Sequence, residues 1–319
     1  MKKNAENFST SVLFLTFNRL ETTKKVFEEI KKAKPPRLYI ASDGPRKEKP
    51  DEDETVKAVR DYILSNIDWD CDVKTLFRRK NLGCKIAVST AIDWFFKNEE
   101  MGIILEDDCL PNQSFFRFCE ELLERYTDDE RIMMVCGTNM AETWNSEKQN
   151  YHFSIYGSIW GWASWRRAWQ HYDVNINLWG NSYAKQAIKN IFNNKKQYNY
   201  RKRVFEKVYR KNIDTWDYQW SFARMINSGL TIVPSRNLVS NIGFGENATH
   251  TTGENAKKLS ISQHDLLWPL KKPEIVVVDK EYDDTCFKII TGNYGIFYKI
   301  KRKFVFYLRK IRNLFMRAH

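Results

Sequence analysis

From about residue 11 to residue 136, short apolar runs alternate with stretches of helical periodicity, and this alternation limits the fold more than any other feature. Ser11–Phe17 reads as a strand. Val26, Phe27 and Ile30 then recur at helical spacing until Pro35-Pro36 stops the helix. Leu38–Ala41 is a second strand, closed by the turn sequence Ser42-Asp43-Gly44-Pro45. Acids at Asp51–Glu54 suit a helix N-terminus, and Val56, Val59 and Ile63 give that helix an apolar face. Val73–Phe77 alternates as a strand, and Ile86 to Phe95 is helical. Gly102–Leu105 is a strand that runs into Glu106-Asp107-Asp108. Asn112 or Ser114 caps the next helix, which carries Phe115, Phe118, Leu122 and Tyr126, and Ile132–Cys136 is a fifth strand. Repeated strand–helix units of this size predict an α/β fold: a mostly parallel sheet with helices on both faces, its ligands beyond the carboxyl ends of the strands.

Those carboxyl ends carry the chemistry. Three adjacent carboxylates at Glu106, Asp107 and Asp108 repel one another where a strand opens into a loop. Such a cluster either solvates a turn or provides the sparse coordination of a Mg²⁺ or Mn²⁺ ion whose other ligands are phosphate oxygens and water. The neighbouring ends favour the second reading. The first strand ends in Thr16-Phe17-Asn18-Arg19 and the second in Ser42-Asp43-Gly44. Together they predict one crevice with an arginine for phosphate, an aspartate able to accept from a base or ribose, and a metal site.

Val12–Arg19, Leu38–Pro45, Arg79-Lys80-Asn81-Leu82-Gly83 and Ile103–Asp108 resemble the nucleotide-sugar half of GT-A fold glycosyltransferases. The Glu-Asp-Asp form of the acidic motif is similar to the N-acetylglucosaminyltransferase I group and its bacterial relatives. The resemblance spans about residues 10–255 as an ordered set of short motifs. It implies a Rossmann-like GT-A domain over residues 1–270, with a nucleotide-sugar half (1–140) and an acceptor half (141–270). It also implies Asp108 as metal ligand, Glu106 and Asp107 on the donor, Asp43 on uracil and Arg19 beside the nucleotide.

Past residue 150, tryptophans cluster at 160, 162, 165, 169 and 179, a basic helical stretch covers 183–211, and a helix from Trp216 ends at Gly229, read as its C′ glycine. Tyr156–Ala163 resembles the segment that lines the sugar pocket in the same group. Trp162, Trp165 and Trp169 fall at helical spacing, which also reads as core, and core is favoured for Trp165 and Trp169. Gly161 and Trp162 are the expected sugar-site residues, because a glycine permits close backbone approach. Trp216-Asp217-Tyr218-Gln219-Trp220 stands where similar families have Trp-Asp-Asp-Trp, which implies Asp217 as catalytic base; a first-turn helix acid is the other reading, and Asp214 the substitute. His250 reads either as a late metal or diphosphate ligand or as a surface-loop histidine.

The net charge of +12 invites a nucleic-acid reading, but eight of those charges lie in residues 294–319, which contain no acid, so only +4 belongs to the preceding 293 residues. In that tail Ile296, Ile300, Phe304, Tyr307, Leu308, Ile311 and Phe315 recur every three to four residues, the pattern of a basic amphipathic helix on an anionic membrane surface. Residues 271–293 are expected to connect it to the main domain. No apolar run approaches the ~20 residues of a membrane span, and Val12–Phe17 is too short for a signal core. The six cysteines show no CxxC pair, so free thiols are expected. The chain is thus expected in the cytoplasm, peripherally associated with the inner face of the membrane.

The function this implies is metal-dependent transfer of a sugar, UDP-linked by resemblance, from a nucleoside-diphosphate donor to a hydroxyl of a glycan or lipid-linked acceptor, with inversion implied by resemblance. Surface polysaccharide or glycolipid synthesis is the expected setting. A nucleotidyltransferase would carry a Gly-rich loop where this chain has Asn18-Arg19-Leu20-Glu21. A glycoside hydrolase would need neither metal nor nucleotide. A non-catalytic membrane adaptor on the same fold would tolerate Asp108→Ala.

Overall fold

The computed structural model describes residues 8–192, 194–243 and 261–292. The loop histidine His250 and the tail 294–319 lie outside the described residues, as do the expectations placed on them.

An eight-stranded sheet organises the chain, in the order β3-β2-β1-β4-β8-β6-β9-β7. Its strands are β1 (Val12–Thr16), β2 (Arg37–Ser42), β3 (Asp72–Phe77), β4 (Met101–Glu106), β6 (Ile132–Cys136), β7 (Tyr151–Ser154), β8 (Trp162–Trp165) and β9 (Leu230–Pro234). The first four pair in parallel, β6 pairs in parallel with β9, and β8 and β7 run antiparallel to their neighbours. The mostly parallel sheet expected from the alternating units is therefore present, with two reversed strands from the second half. A separate ribbon joins β5 (Cys109–Pro111) to β10 (Val239–Asn241).

Alternation along β1 shows why both faces are covered. Val12 and Phe14 enter one core with Val26, Phe27 and Ile30 of α1 (Leu20–Ala33), Val59 and Ile63 of α2 (Glu52–Ser65) and Phe115 of α4 (Gln113–Arg125). Leu13 and Leu15 enter the opposite core with Ala91, Ile92 and Phe95 of α3 (Gly83–Asn98). A strand buried on both sides reads as an unbroken apolar run, as β1 does. Asn112 caps α4 by accepting from the Phe115 N–H.

The second half departs from its sequence reading in four places. The basic stretch is two helices, α6 (Ser182–Ile191) and α7 (Lys195–Tyr209), because the Asn194 side chain accepts from Lys196 N–H and starts a new helix. Trp162 and Trp165 belong to strand β8, so their helical spacing is a coincidence: they point into opposite cores, as strand periodicity requires. Trp169 closes the short helix α5 (Arg166–Trp169) and is buried. At the end of α8 (Asp217–Ile226) Ser228 adopts the left-handed conformation (φ 55°), while the Gly229 N–H reaches back to Arg224 O, so Gly229 is one position beyond the C′ residue. The segment expected to connect 271 to 293 contains α9 (Lys280–Ile290), whose Tyr282 and Cys286 are buried with Trp179, Phe205 and Phe222. All six cysteines are free.

Among the described residues no helix is long and apolar enough to cross a membrane.

His152 on β7 is 2% exposed, lies 4.2 Å from the Tyr282 ring, and neither ring nitrogen meets a partner among the described residues. Burial pushes its pKa down to about 4, only partly opposed by Asp279. The folded value lies below the unfolded one, so the neutral ring's contribution is complete above about pH 6.5 and lost as pH falls toward 4, on the order of 3 kcal/mol. Asp283 nearby titrates oppositely: burial raises it to about 7, so its contribution is lost as pH rises through that value. We expect His152→Phe to remove most of the His152 acid loss in denaturant titrations at pH 7 and 4.5. An unchanged acid loss in the variant would assign it elsewhere.

Candidate active site

Register fixes which strand ends meet. Thr16 lies opposite Ser42, and Leu15 opposite Glu106, so the ends of β1, β2 and β4 open on one edge. That edge brings together Arg19, Asp43, Glu106, Asp107 and Asp108.

Arg19 Nη1 donates to Asp108 Oδ2 at 2.6 Å and lies 3.6 Å from Asp107 Oδ1. Burial alone would lower its pKa, but the charges of Asp107 and Asp108 outweigh that and the net shift is upward. Asp107 also accepts from the Phe17 N–H at 3.2 Å. Burial, reinforced by Asp108 and opposed by Arg19, lifts its pKa to about 7. Glu106 is held well above the carboxylate range by burial first, then by Asp108, Asp107 and Asp217. Its Oε1 is buried and has no partner among the described residues.

Asp108 is held from the far side by elements distant in sequence. Asn241, paired with Cys109 across the β5–β10 ribbon, points Nδ2 at Asp108 Oδ1 from 3.4 Å. Ile242 N–H donates to the Asp108 carbonyl at 2.8 Å. A Cβ on Gly243 would stand 2.3 Å from Asp108 Oδ2, so only glycine lets the chain pass this closely without moving the carboxylate. Neither Asn241 nor Gly243 is recognisable in the sequence as part of the site, because nothing local signals the ribbon that brings them here.

The residues present fit a divalent ion. Among the described residues Asp107 and Asp108 share Arg19 as their ion-pair partner, and the buried Oε1 of Glu106 is orphaned. Among the described residues no three His, Cys, Asp or Glu side chains converge as a metal cage. An ion here would take one or two carboxylates, with Asp108 the better exposed to the crevice, and complete its shell from ligand oxygens and water.

Asp43 is placed otherwise than expected. Its carboxylate accepts from the N–H groups of Gly44 (2.9 Å), Leu82 (3.0 Å) and Gly83 (3.2 Å). It holds the Asn81–Gly83 turn against β2, and both oxygens are already engaged, so a base contact would have to share them. Burial nonetheless raises its pKa, the backbone bonds opposing.

Asp217 opens α8 and accepts from the Thr215 hydroxyl. It lies near enough to Glu106 to raise that group's pKa, and it also lines a pocket of about 220 Å³ with Tyr156, Ser158, Trp160, Tyr218 and Ser221. Asp214 turns away and accepts from Lys85 N–H at 3.3 Å, at the first turn of α3.

Trp162 does not face that pocket. It is 0% exposed, its ring stacked on Trp216 (5.8 Å) and packed on Trp169 and Trp220. An indole with both faces covered by protein offers none to a sugar; the tryptophans that line the pocket are Trp160 and Trp220. Gly161 is a structural turn as well: its φ is +64°, and its carbonyl accepts from Gly137 N–H at 2.8 Å.

Neither a family model nor a curated protein sequence matches the chain. Among solved structures it is similar to the mannosyltransferase PcManGT from Pyrobaculum calidifontis in complex with GDP-Man and Mn²⁺, at 11% identity and TM-score 0.38 over 67% of this chain and 69% of that one. It is also similar to S. aureus TarS 1-349, at 10% identity and TM-score 0.40 over 72% of this chain and 59% of that one. HddC from Yersinia pseudotuberculosis matches at 9% identity and TM-score 0.30 over 50% of this chain and 77% of that one. These are distant likenesses.

Proposed function

We propose that the chain is a metal-dependent glycosyltransferase that uses a nucleoside-diphosphate sugar. One observation carries this: Arg19, Glu106, Asp107 and Asp108 gather at one sheet edge, and Asp217, whose charge reaches Glu106, also lines a pocket with Tyr156 and Trp160. A transferase needs this order of donor diphosphate, base and acceptor.

In this reading the diphosphate lies over Arg19, with Glu106 and Asp107 against the donor and Asp108 as ligand to Mn²⁺ or Mg²⁺. The bound ion supplies Lewis-acid stabilisation of the leaving diphosphate. Asp217 takes the proton of an acceptor hydroxyl as that oxygen forms a bond to the anomeric carbon. The bond from the same carbon to the diphosphate oxygen breaks, and the nucleoside diphosphate leaves. A single displacement of this kind inverts the configuration at the anomeric carbon. Arg19, now paired with Asp108, is positioned to pass to the diphosphate.

A panel of UDP-, GDP- and CDP-sugars with Mn²⁺, assayed for nucleoside-diphosphate release, tests this. Release from one donor family, abolished by EDTA, is expected. Release from none, with no donor raising the melting temperature, would overturn the assignment.

A further inference from the structure

The pocket beside Asp217 has a cationic floor that sugar transfer as such does not require. Arg201 of α7 is 7% exposed and Arg224 of α8 is 1% exposed, and both line the pocket. Arg201 lies over the Tyr156 ring at 5.0 Å. Arg224 Nη1 donates to the Thr231 hydroxyl and to Ile155 O at 3.4 Å. Among the described residues the Nε of each arginine is buried without a partner, and so are Ser221 Oγ and Trp220 Nε1 on the same lining.

No carboxylate of the described residues forms an ion pair with either guanidinium, whereas Arg19, a half-buried arginine at the acidic turn, has Asp108 at 2.6 Å. The acids of α9 nearby are engaged elsewhere: Asp283 by the Ser154 hydroxyl, and Asp284 by Gln197 Nε2 at 2.6 Å. Burial and then the charge of Arg201 push the Arg224 pKa down to about 10, so the two cations repel each other. Unpaired buried charges are costly, and buried donors are nearly always satisfied. A purely structural arginine would resemble Arg167, whose guanidinium donates to the carbonyls of Thr127, Ile132 and Tyr126. Arg201 and Arg224 instead leave donors over a cavity. Guanidinium groups in this state match an oxyanion.

We infer that this pocket binds an anionic acceptor, whose phosphoryl or carboxylate group sits against Arg201 and Arg224 while a hydroxyl of the same molecule faces Asp217. The word acceptor rests on the transferase reading above; the oxyanion subsite rests on the arginines alone. The charge would select among acceptors, since a neutral molecule of equal size leaves both cations uncompensated.

Calorimetric titration of the full chain at fixed ionic strength tests this, with glycerol 1-phosphate, glucuronate and neutral glycerol and glucose as probes. At least one anion is expected to bind, roughly tenfold or more weaker in Arg201→Gln, with partial recovery in Arg201→Lys. Which anion binds more tightly decides between phosphoryl and carboxylate. Neutral probes binding as well as the anions, or Arg201→Gln binding like the wild type, would overturn the subsite. Should Arg201→Gln fail to fold, phenylglyoxal modification of the wild type mapped by mass spectrometry is the second measure. Glycerol 1-phosphate, and not glycerol, is then expected to slow modification of Arg201, and equal rates would overturn the subsite. UDP and GDP binding with Mn²⁺, measured on the same protein, separates the two readings. Nucleotide binding without anion binding sinks only the subsite, and anion binding without nucleotide binding sinks only the transferase assignment.

Discussion

Asp217→Asn is expected to lower the rate of transfer by about 10²–10⁴-fold while leaving donor affinity nearly unchanged. The substitution keeps size and shape, and Asn can still accept from the Thr215 hydroxyl, so the start of α8 has no reason to move. It removes only the capacity to take a proton. Trp216 and Trp220, whose packing on Trp162 holds the first turn in place, are untouched. The loss should therefore appear in kcat and in kcat/KM together, as for an interaction made only in the transition state. Removing a negative charge near Glu106 should, if anything, ease donor binding slightly. The check is steady-state kinetics with the donor family found in the panel and its acceptor, beside calorimetry of the nucleoside diphosphate. A variant with near-native kcat would place the base elsewhere. Asp214 is a poor substitute because it is turned toward Lys85 at the start of α3. Glu106, whose buried Oε1 has no partner among the described residues, would be the next residue to test.

Much of the first half was legible because its strands are buried on both faces and its helices on one. Val12–Thr16 is a continuous apolar run, and Val26, Phe27 and Ile30 mark a single stripe, so sequence periodicity and burial coincide. Parallel strands then place their carboxyl ends together without further information, which is why Arg19 and Glu106–Asp108 were found as a group. The second half was harder to read for a physical reason. Its tryptophans pack in a cluster drawn from β8, α5 and α8, so their spacing in the chain reports neither a helix nor a sugar platform. Trp162 was expected against a sugar because Gly161 precedes it, whereas it lies within that cluster. Asp43 was read by residue type, whereas its partners are backbone amides of a turn about 40 residues later, which no spacing reveals. Arg201 was invisible because it lies in a run of basic residues that reads as solvated; only the fold shows that it faces inward against Tyr156. Asn241 and Gly243 reach Asp108 through an antiparallel ribbon between segments 130 residues apart, and the sequence carries no mark of that pairing.

The proposed function requires a nucleoside diphosphate to meet a divalent ion at the acidic turn. Asp108 is the carboxylate most committed to it: Arg19, Asn241 and Cys109 orient its side chain, and Gly243 leaves room for it. Even outer-shell partners of a metal typically contribute 10–100-fold to affinity, so loss of a direct carboxylate ligand should cost about 100-fold or more. Asp108→Asn keeps the size and leaves the carbonyl that Ile242 uses, so the variant should remain folded. The decisive measurement is calorimetric titration of UDP and GDP into the wild type with Mn²⁺, into the wild type with EDTA, and into Asp108→Asn with Mn²⁺. We predict binding of one nucleoside diphosphate in the first case and its loss in both others. Equal affinity in all three would contradict a metal role for Asp108, and with it the central claim.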